Sequence, residues 1–157
     1  MTLESALPLA QKYLEQIRPF CKRAEIAGSI RRLKPEVKDI EIVAIRNVRK
    51  IVELKNWLDK FYRIKGNIMG KYTQRKLPEG INLDLFFADE YNWGCIFLIR
   101  TGPWEFSKRM MGTVTREKGF VQNDGYLWKN GEIIPVQEEN NWFELMGLTW
   151  ISPENRS

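Results

Sequence analysis

The segment Val37–Val43 (VKDIEIV) is the most informative part of the sequence about the fold of the first half of the chain. Its apolar and polar residues alternate, which is the period of a β-strand. Asp39 and Glu41 therefore lie on one face of the strand, and Ile40 and Ile42 lie on the other. The two carboxylates are separated by two residue rises, roughly 7 Å along the backbone. Alternation alone also fits a solvated strand face, so this pattern by itself does not distinguish a binding site from a polar surface.

Immediately upstream, Glu25–Ala27 is predicted to be a short strand that enters a turn at Gly28–Ser29. A helix is predicted to begin near Ile30. Backbone N–H groups and a hydroxyl at such a turn can bind phosphate, and Arg31 and Arg32 follow directly. Each of these features is common in proteins when it occurs alone. A phosphate-binding turn that is followed by a pair of carboxylates favours a binding site for phosphate and metal over a polar surface.

A third carboxylate, Asp84, lies at a polar position of the apolar strand predicted over 81–88. Three carboxylates brought together raise one another's pKa, so a cluster of this kind implies a bound cation. Phosphoryl and nucleotidyl transfer use such clusters to hold cations against phosphate oxygens. The sequence therefore predicts a metal site made by Asp39, Glu41 and Asp84.

The composition narrows the possible chemistry. The chain has 157 residues, 43% of them hydrophobic, which suits one domain-sized core. It has no histidine and only Cys21 and Cys95, which excludes a structural zinc site and serine–histidine catalysis. The net charge of +5 favours polyanionic partners. No signal peptide or membrane span is predicted, so a soluble cytoplasmic protein is expected.

The remaining elements follow from periodicity and turn signals. Asn130–Gly131 is the strongest hairpin signal, with strands expected at Tyr126–Trp128 and Ile133–Pro135. Large aromatic side chains usually serve packing, so Trp57, Trp93, Trp142 and Trp150 are expected in the core. Helices are predicted over 4–18, 48–60, 104–118 and 139–146, and a further strand over 61–64.

Several motifs together resemble the family X DNA polymerases, whose type member is DNA polymerase beta. They are Gly28–Ser29–Ile30–Arg31–Arg32, Asp39–Ile40–Glu41–Ile42, Asn82–Leu83–Asp84–Leu85 and Thr101–Gly102–Pro103. The resemblance runs from about residue 24 to the end and implies an α+β fold. It places a nucleotidyltransferase palm with a mixed β-sheet flanked by helices at 1–98, and a small thumb-like subdomain at 99–157. The sequence is similar to the reduced palm-plus-thumb members of the family, which have no lyase domain.

The resemblance also implies roles for individual residues. Asp39, Glu41 and Asp84 would be both catalytic residues and metal ligands, holding two Mg²⁺ ions. The nucleotide would be bound by Gly28, Ser29, Arg32, Lys38, Thr101, Gly102 and Trp104. DNA would be contacted by Lys71, Arg75, Lys108, Arg109, Arg116 and Lys118. The Gly102–Pro103 peptide bond is expected to be cis.

Two positions depart from the family pattern: Glu41 stands where Asp is usual, and Lys38 stands where Gly often precedes the first Asp. The longer Glu41 side chain leaves metal preference open, with Mn²⁺ as an alternative. The implied function is DNA-directed addition of a dNTP to a primer 3′-hydroxyl, filling short gaps in DNA repair, by a monomer on gapped or primer-template DNA. Two alternatives stay open: a nucleotidyltransferase acting on RNA, tRNA or a protein, and a catalytically silent nucleic-acid-binding module.

Overall fold

The computed structural model describes residues 1–157 and divides them into two units, Met1–Ala88 and Asp89–Ser157. The predicted boundary after residue 98 falls ten residues later than this division. The difference arises because Cys95 and Leu98, which belong to a helix that the sequence analysis did not predict, are buried in the core of the second unit. No helix has both the length and the apolar character needed to cross a membrane.

The first unit combines helices with a single sheet. In chain order its elements are α1 (Leu3–Ile17), β1 (Cys21–Ile26), α2 (Gly28–Arg31), β2 (Asp39–Arg46), α3 (Ile51–Leu58), β3 (Tyr62–Gly66), β4 (Tyr72–Lys76) and β5 (Asn82–Ala88). The helix predicted over 4–18 is confirmed as α1. The hydroxyl of Thr2 caps it by accepting a hydrogen bond from the Ser5 N–H at 3.3 Å.

The five strands of this sheet lie in the order β1-β2-β5-β4-β3. Strands β2 and β5 are parallel, and the other neighbouring pairs are antiparallel. The sheet is therefore mixed, which confirms the expected α+β class. Strand β4 was missed by the sequence analysis, because its polar residues occupy a Lys- and Gly-rich segment without an apolar pattern.

Helices α1 and α3 pack on one face of the sheet. Ile40 and Leu83 from the central strands share a buried core with Ala10 of α1 and Leu54 of α3. Each fully buried Leu or Ile side chain contributes roughly 1.5–3 kcal/mol relative to exposure. Because side chains alternate along a strand, this core fixes the opposite face as the one that carries Asp39 and Glu41.

The second unit contains short helices and a three-stranded sheet of order β6-β7-β8. Its elements are α4 (Trp93–Thr101), α5 (Trp104–Arg109), a π-helical turn (Met110–Val114), α6 (Thr115–Glu117), β6 (Val121–Asn123), β7 (Tyr126–Lys129), β8 (Glu132–Ile134) and α7 (Glu139–Leu145). The hairpin predicted at Asn130–Gly131 is confirmed, and both turn residues have positive φ, 52° and 76°. The Gly102–Pro103 bond is cis, as expected.

Three of the four tryptophans expected in the core are buried there. Trp57 is 5% exposed, Trp93 is 1% exposed and Trp142 is fully buried. The expectation for Trp150 is wrong, since its side chain is 42% exposed. Its indole N–H donates instead to the carboxylate of Glu139 at 3.0 Å, so it lies at the edge of the second core.

Candidate functional site

The sheet of the first unit brings the three predicted carboxylates to one face. In the parallel pairing of β2 with β5, Glu41 lies opposite Asp84 and Asp39 lies opposite Asn82. The three side chains therefore occupy adjacent positions on the face opposite the helices. The alternation in the sequence predicted that Asp39 and Glu41 share a face. The pairing of β2 with β5 places Asp84 on the same face.

Glu41 packs closely against the Gly28–Ser29 turn. Its carboxylate accepts a hydrogen bond from the Ser29 backbone N–H. A Cβ atom on Gly28 would lie 1.5 Å from the Glu41 Oε2 atom, and Gly28 has a φ of +64°. Glycine is therefore required here by both the close approach and the backbone conformation. The turn that was predicted to cradle phosphate also holds a carboxylate.

The electrostatic environment raises the pKa of two of the carboxylates. Burial, followed by the negative charge of Asp84, raises the pKa of Glu41 to about 7. The same two causes, in the same order, raise the pKa of Asp39, while the positive charges of Lys38, Lys76 and Lys65 oppose the rise. A cation placed among these groups would relieve the repulsion between them.

Asp84 is held by its neighbours on β4. The Tyr72 hydroxyl donates to the Asp84 Oδ1 atom at 2.8 Å, and the Gln74 Nε2 atom donates to the same oxygen at 2.7 Å. The Asp84 side chain is largely buried. Neither Tyr72 nor Gln74 was identified from the sequence. The only pattern that could have pointed to Tyr72 and Gln74 is their spacing of two residues, which places both side chains on one face of β4. The sequence did not predict this strand.

A pocket of about 650 Å³ opens beside the carboxylates. It combines negative groups with basic side chains that can neutralise phosphate oxygens. Its volume suits a small organic ligand. The pocket is lined by Ser29, Arg32, Lys34, Pro35, Glu36, Lys38, Asp39 and Glu41. Of the first-unit residues predicted to bind nucleotide, Ser29, Arg32 and Lys38 line it directly, and Gly28 lies behind Glu41.

The donor set suits a hard divalent cation, because every candidate ligand is a carboxylate oxygen. No three His, Cys, Asp or Glu side chains converge closely enough to form a metal centre in the structure. In the predicted trio this reflects the position of the Glu41 carboxylate, which accepts a hydrogen bond from the Ser29 N–H and is attracted by Arg32. A chelating arrangement of all three would therefore require the Glu41 side chain to turn away from its present partners.

Basic side chains lie on the carboxylate face at its β3–β4 edge. Lys76 lies opposite Asn82 in the sheet, and Lys65 lies opposite Gln74; both are exposed. The predicted contact Lys71 is also exposed.

Arg75 does not fit the prediction of a DNA contact. It is 4% exposed, points to the helix-covered face and donates to the backbone carbonyl of Leu58 at 3.1 Å.

The residues predicted to bind nucleotide in the second unit differ in their accessibility. Thr101 is fully buried, and its hydroxyl donates to the Phe97 carbonyl at 2.6 Å, so only its backbone could meet a ligand. Gly102 has a φ of 66° before the cis bond. Trp104 is 68% exposed, with the Lys108 Nζ atom 4.7 Å from its ring centroid.

The four basic residues predicted to bind DNA in the second unit are all exposed. The segment that carries them is helical as expected, but the π-helical turn interrupts it. Arg109 donates to the Ser157 carbonyl at 2.9 Å, and Arg116 donates to the Gly112 carbonyl at 3.2 Å. Lys108 and Lys118 are the other two predicted DNA contacts of this unit. All four are accessible to a polyanion.

The raised pKa of Glu41 predicts that metal-free protein loses stability as the pH rises. Its pKa is about 7 in the folded chain, against 4.5 for the ordinary side chain. Between these values the folded state holds the proton more tightly than the unfolded state does, so the stabilisation is complete below about pH 4.5 and is lost by about pH 7. We expect a loss of about 2–3 kcal/mol between pH 5 and 8. Hydrogen exchange of β2 and β5 amides in metal-free buffer measures it.

Glu41→Gln should flatten this pH profile, because the amide does not ionise. The exposed residue Glu53 on α3 provides the matched control, and Glu53→Gln should keep the wild-type slope. Parallel profiles for Glu41→Gln and wild type would show that Glu41 does not carry this titration.

Residues 96–157 match the family model described as DNA polymerase beta thumb. The match covers most of the second unit and none of the first. It relates the chain to the family X polymerases and supports a DNA-binding role for this part. No curated protein matches the chain.

Proposed function

We propose that this protein is a nucleotidyltransferase of the family X DNA polymerase type, which adds deoxynucleotides to the 3′-hydroxyl of a DNA primer. One observation carries the proposal: Asp39, Glu41 and Asp84 share a sheet face beside a pocket that also presents Ser29 and Arg32. The match of residues 96–157 to a polymerase thumb makes DNA the favoured acceptor. Short gap filling in DNA repair is the process that this activity would serve.

Metal ligation would fall to the three carboxylates. Asp39 and Glu41 would hold both of two Mg²⁺ or Mn²⁺ ions, and Asp84 would hold the ion nearer the primer end. Such ions, when bound, neutralise charge on the phosphate oxygens and lower the pKa of the attacking hydroxyl. Glu41 would leave its contact with Ser29 to ligate, and this exchange would free the Ser29 N–H for a phosphate oxygen.

The pocket would bind the triphosphate through its basic wall. Arg32 can offer several N–H groups to the β- and γ-phosphates, and Lys34 and Lys38 add positive charge at the same pocket. The hydroxyl of Ser29 supplies a further donor. Within the second unit, Trp104 is exposed and available to stack on a base.

The reaction would then be a single in-line displacement. The primer 3′-oxygen forms a bond to the α-phosphorus, and the bond between that phosphorus and the oxygen bridging to the β-phosphate breaks. Pyrophosphate leaves with the electron pair of the broken bond. In this proposal Asp84 would lie close to the primer 3′-hydroxyl and would receive its proton as the new bond forms.

The acceptor can be identified with a panel of substrates. Labelled nucleotides should be offered with gapped DNA, open primer-template DNA, single-stranded DNA, RNA and protein, in Mg²⁺ and separately in Mn²⁺. The proposal expects DNA primers to be extended and gapped DNA to be the best acceptor. Labelling of RNA or protein alone would establish the transferase alternative. DNA binding without labelling of any acceptor would establish the silent binding module.

Binding of gapped DNA should be weak and strongly dependent on salt, because exposed lysines and arginines supply most of the contacts. Each phosphate contact contributes about −0.9 to the slope of log affinity against log salt. Replacing both Lys65 and Lys76 by Ala should therefore make the slope less negative by about 2. Fluorescence anisotropy between about 50 and 200 mM salt covers the range over which several such contacts are lost.

The matched control removes the same charge from the helical layer of the first unit. Lys12 on α1 and Lys55 on α3 are both exposed, and each pairs with a nearby carboxylate. Lys12→Ala with Lys55→Ala should leave the slope close to wild type. Equal slopes for the two double variants would contradict a specific DNA path over the β3–β4 edge.

A further inference from the structure

Asp84 differs from the other two carboxylates in how the protein holds it. Both of its hydrogen bonds from neighbouring side chains end on one oxygen, Oδ1, at 2.8 Å from the Tyr72 hydroxyl and 2.7 Å from the Gln74 amide. Only 8% of the residue is exposed, so the carboxylate has little water around it to replace these bonds. Its orientation is therefore set by two donors on a neighbouring strand.

The register of the sheet places both donors. In the antiparallel pairing of β4 with β5, Gln74 lies opposite Asp84 and Tyr72 lies opposite Phe86. Tyr72 and Gln74 are two residues apart, so their side chains share the face that carries Asp84. The Tyr72 ring stacks on Phe86, with centroids 4.8 Å apart and planes inclined by 23°. This stacking fixes the direction of the ring and therefore the position of its hydroxyl.

The two donors are a phenol and an amide, and both are electrically neutral. A lysine or arginine in either place would orient the carboxylate and also cancel its charge, which would compete with a cation. Neutral donors orient Asp84 without adding a positive charge of their own. Because Oδ1 already accepts two hydrogen bonds, Oδ2 is the oxygen with capacity for a further ligand.

We propose that Tyr72 and Gln74 are positioning residues that hold the Asp84 carboxylate so that Oδ2 ligates a divalent cation. This inference rests on the proposed function, since it assigns Asp84 as a ligand. Without the two bonds, the carboxylate would be free to rotate about its terminal torsion, which has no sharply preferred value. Loss of such supporting hydrogen bonds lowers metal affinity by roughly 10- to 100-fold in metalloproteins.

The test uses conservative variants and a binding measurement that does not require turnover. Tyr72→Phe keeps the ring that stacks on Phe86 and removes only the donor, and Gln74→Met keeps the chain length of the side chain. Mn²⁺ binding to the metal-free protein, followed by the electron paramagnetic resonance of free Mn²⁺, should weaken by roughly 10- to 100-fold in the double variant. Each single variant should lie between the double variant and wild type.

Tyr62→Phe is the matched control. Tyr62 lies on β3 and is 77% exposed, so the same atom is removed at a distance from Asp84. Its Mn²⁺ affinity should equal that of wild type. In activity assays, the Tyr72 and Gln74 variants should need more metal for half-maximal rate and approach the wild-type rate when metal saturates. A reduced rate at saturating metal with unchanged affinity would overturn a positioning role.

Asp84→Asn separates the two possible failures. If Asp84→Asn binds Mn²⁺ as wild type does, the carboxylate site of the proposed function is wrong, and the inference falls with it. If Asp84→Asn loses Mn²⁺ binding while Tyr72→Phe, Gln74→Met and the double variant all bind normally, only the positioning role is wrong. Weakened binding in all of these variants, with Tyr62→Phe unchanged, is the result that the inference expects.

Discussion

Asp39→Asn and Asp84→Asn are each expected to lower the rate of nucleotide addition by about a thousandfold or more. Each change removes a proposed cation ligand, and ligation of this kind contributes several kcal/mol of charge stabilisation in the transition state. A loss of about 4 kcal/mol corresponds to roughly a thousandfold in rate. Single-turnover extension of a labelled primer in gapped DNA, at saturating dNTP and Mg²⁺, measures the effect.

Both variants should remain folded. Burial and the Asp84 charge raise the pKa of Asp39, so ionisation of this side chain is less favourable in the folded metal-free protein than in the unfolded chain. Asp39→Asn should therefore unfold at the same or a slightly higher denaturant concentration than wild type. The exposed Glu53 on α3 again supplies the control, since Glu53→Gln removes a carboxylate distant from this face. If Asp39→Asn or Asp84→Asn extended the primer at nearly the wild-type rate, the proposed metal site would be wrong.

Arg156→Met is expected to destabilise the second unit by about 3–5 kcal/mol. The Arg156 side chain is fully buried and forms two hydrogen bonds with the Glu139 carboxylate, at 2.6 and 2.9 Å. Removing the guanidinium leaves Glu139 charged and 5% exposed, without its cationic partner. Five of the six tryptophans lie in this unit, so tryptophan fluorescence during urea unfolding reports mainly on it.

Two further variants test the reason for this loss. Arg116→Met makes the same substitution at an exposed position of the same unit and should change stability by less than about 0.5 kcal/mol. Replacing the pair together, with Glu139→Leu and Arg156→Met, should recover most of the stability, because no unpaired charge stays buried. The guanidinium carbon of Arg156 also lies 5.5 Å from the ring centroid of Phe106 and 5.6 Å from that of Phe143. A double variant as unstable as Arg156→Met would assign the effect to loss of this packing rather than to charge.

Local signals in the sequence predicted much of the fold. The alternation of Val37–Val43 predicted β2 and the face on which Asp39 and Glu41 lie. The Asn130–Gly131 turn predicted the hairpin of β7 and β8, because its positive φ values favour these residue types. The helix predicted over 139–146 is confirmed as α7, and Gly147, with a φ of 67°, follows its C-terminal end. In each case the information lies within a few neighbouring residues.

Features that depend on strand register or tertiary burial were not predictable. The DNA-binding role of Arg75 was implied by the family resemblance, and only the sheet shows that Arg75 points into the helical side of the first unit. The bond from Tyr72 to Asp84 depends on the pairing of β4 with β5, which no local pattern specifies. Helix α4 is mostly apolar and lacks a clear 3.6-residue period, so burial in the second core determines it.

Both products of the proposed reaction can be measured in one experiment. Wild-type protein, gapped DNA with a labelled primer, one dNTP and Mg²⁺ are mixed, and extended primer and pyrophosphate are quantified over time. We expect the wild-type protein to release one pyrophosphate for each nucleotide added. In Asp84→Asn, extended primer and pyrophosphate should both fall to background. Wild-type protein that yields neither product, or Asp84→Asn that yields both at the wild-type rate, would contradict the proposed function.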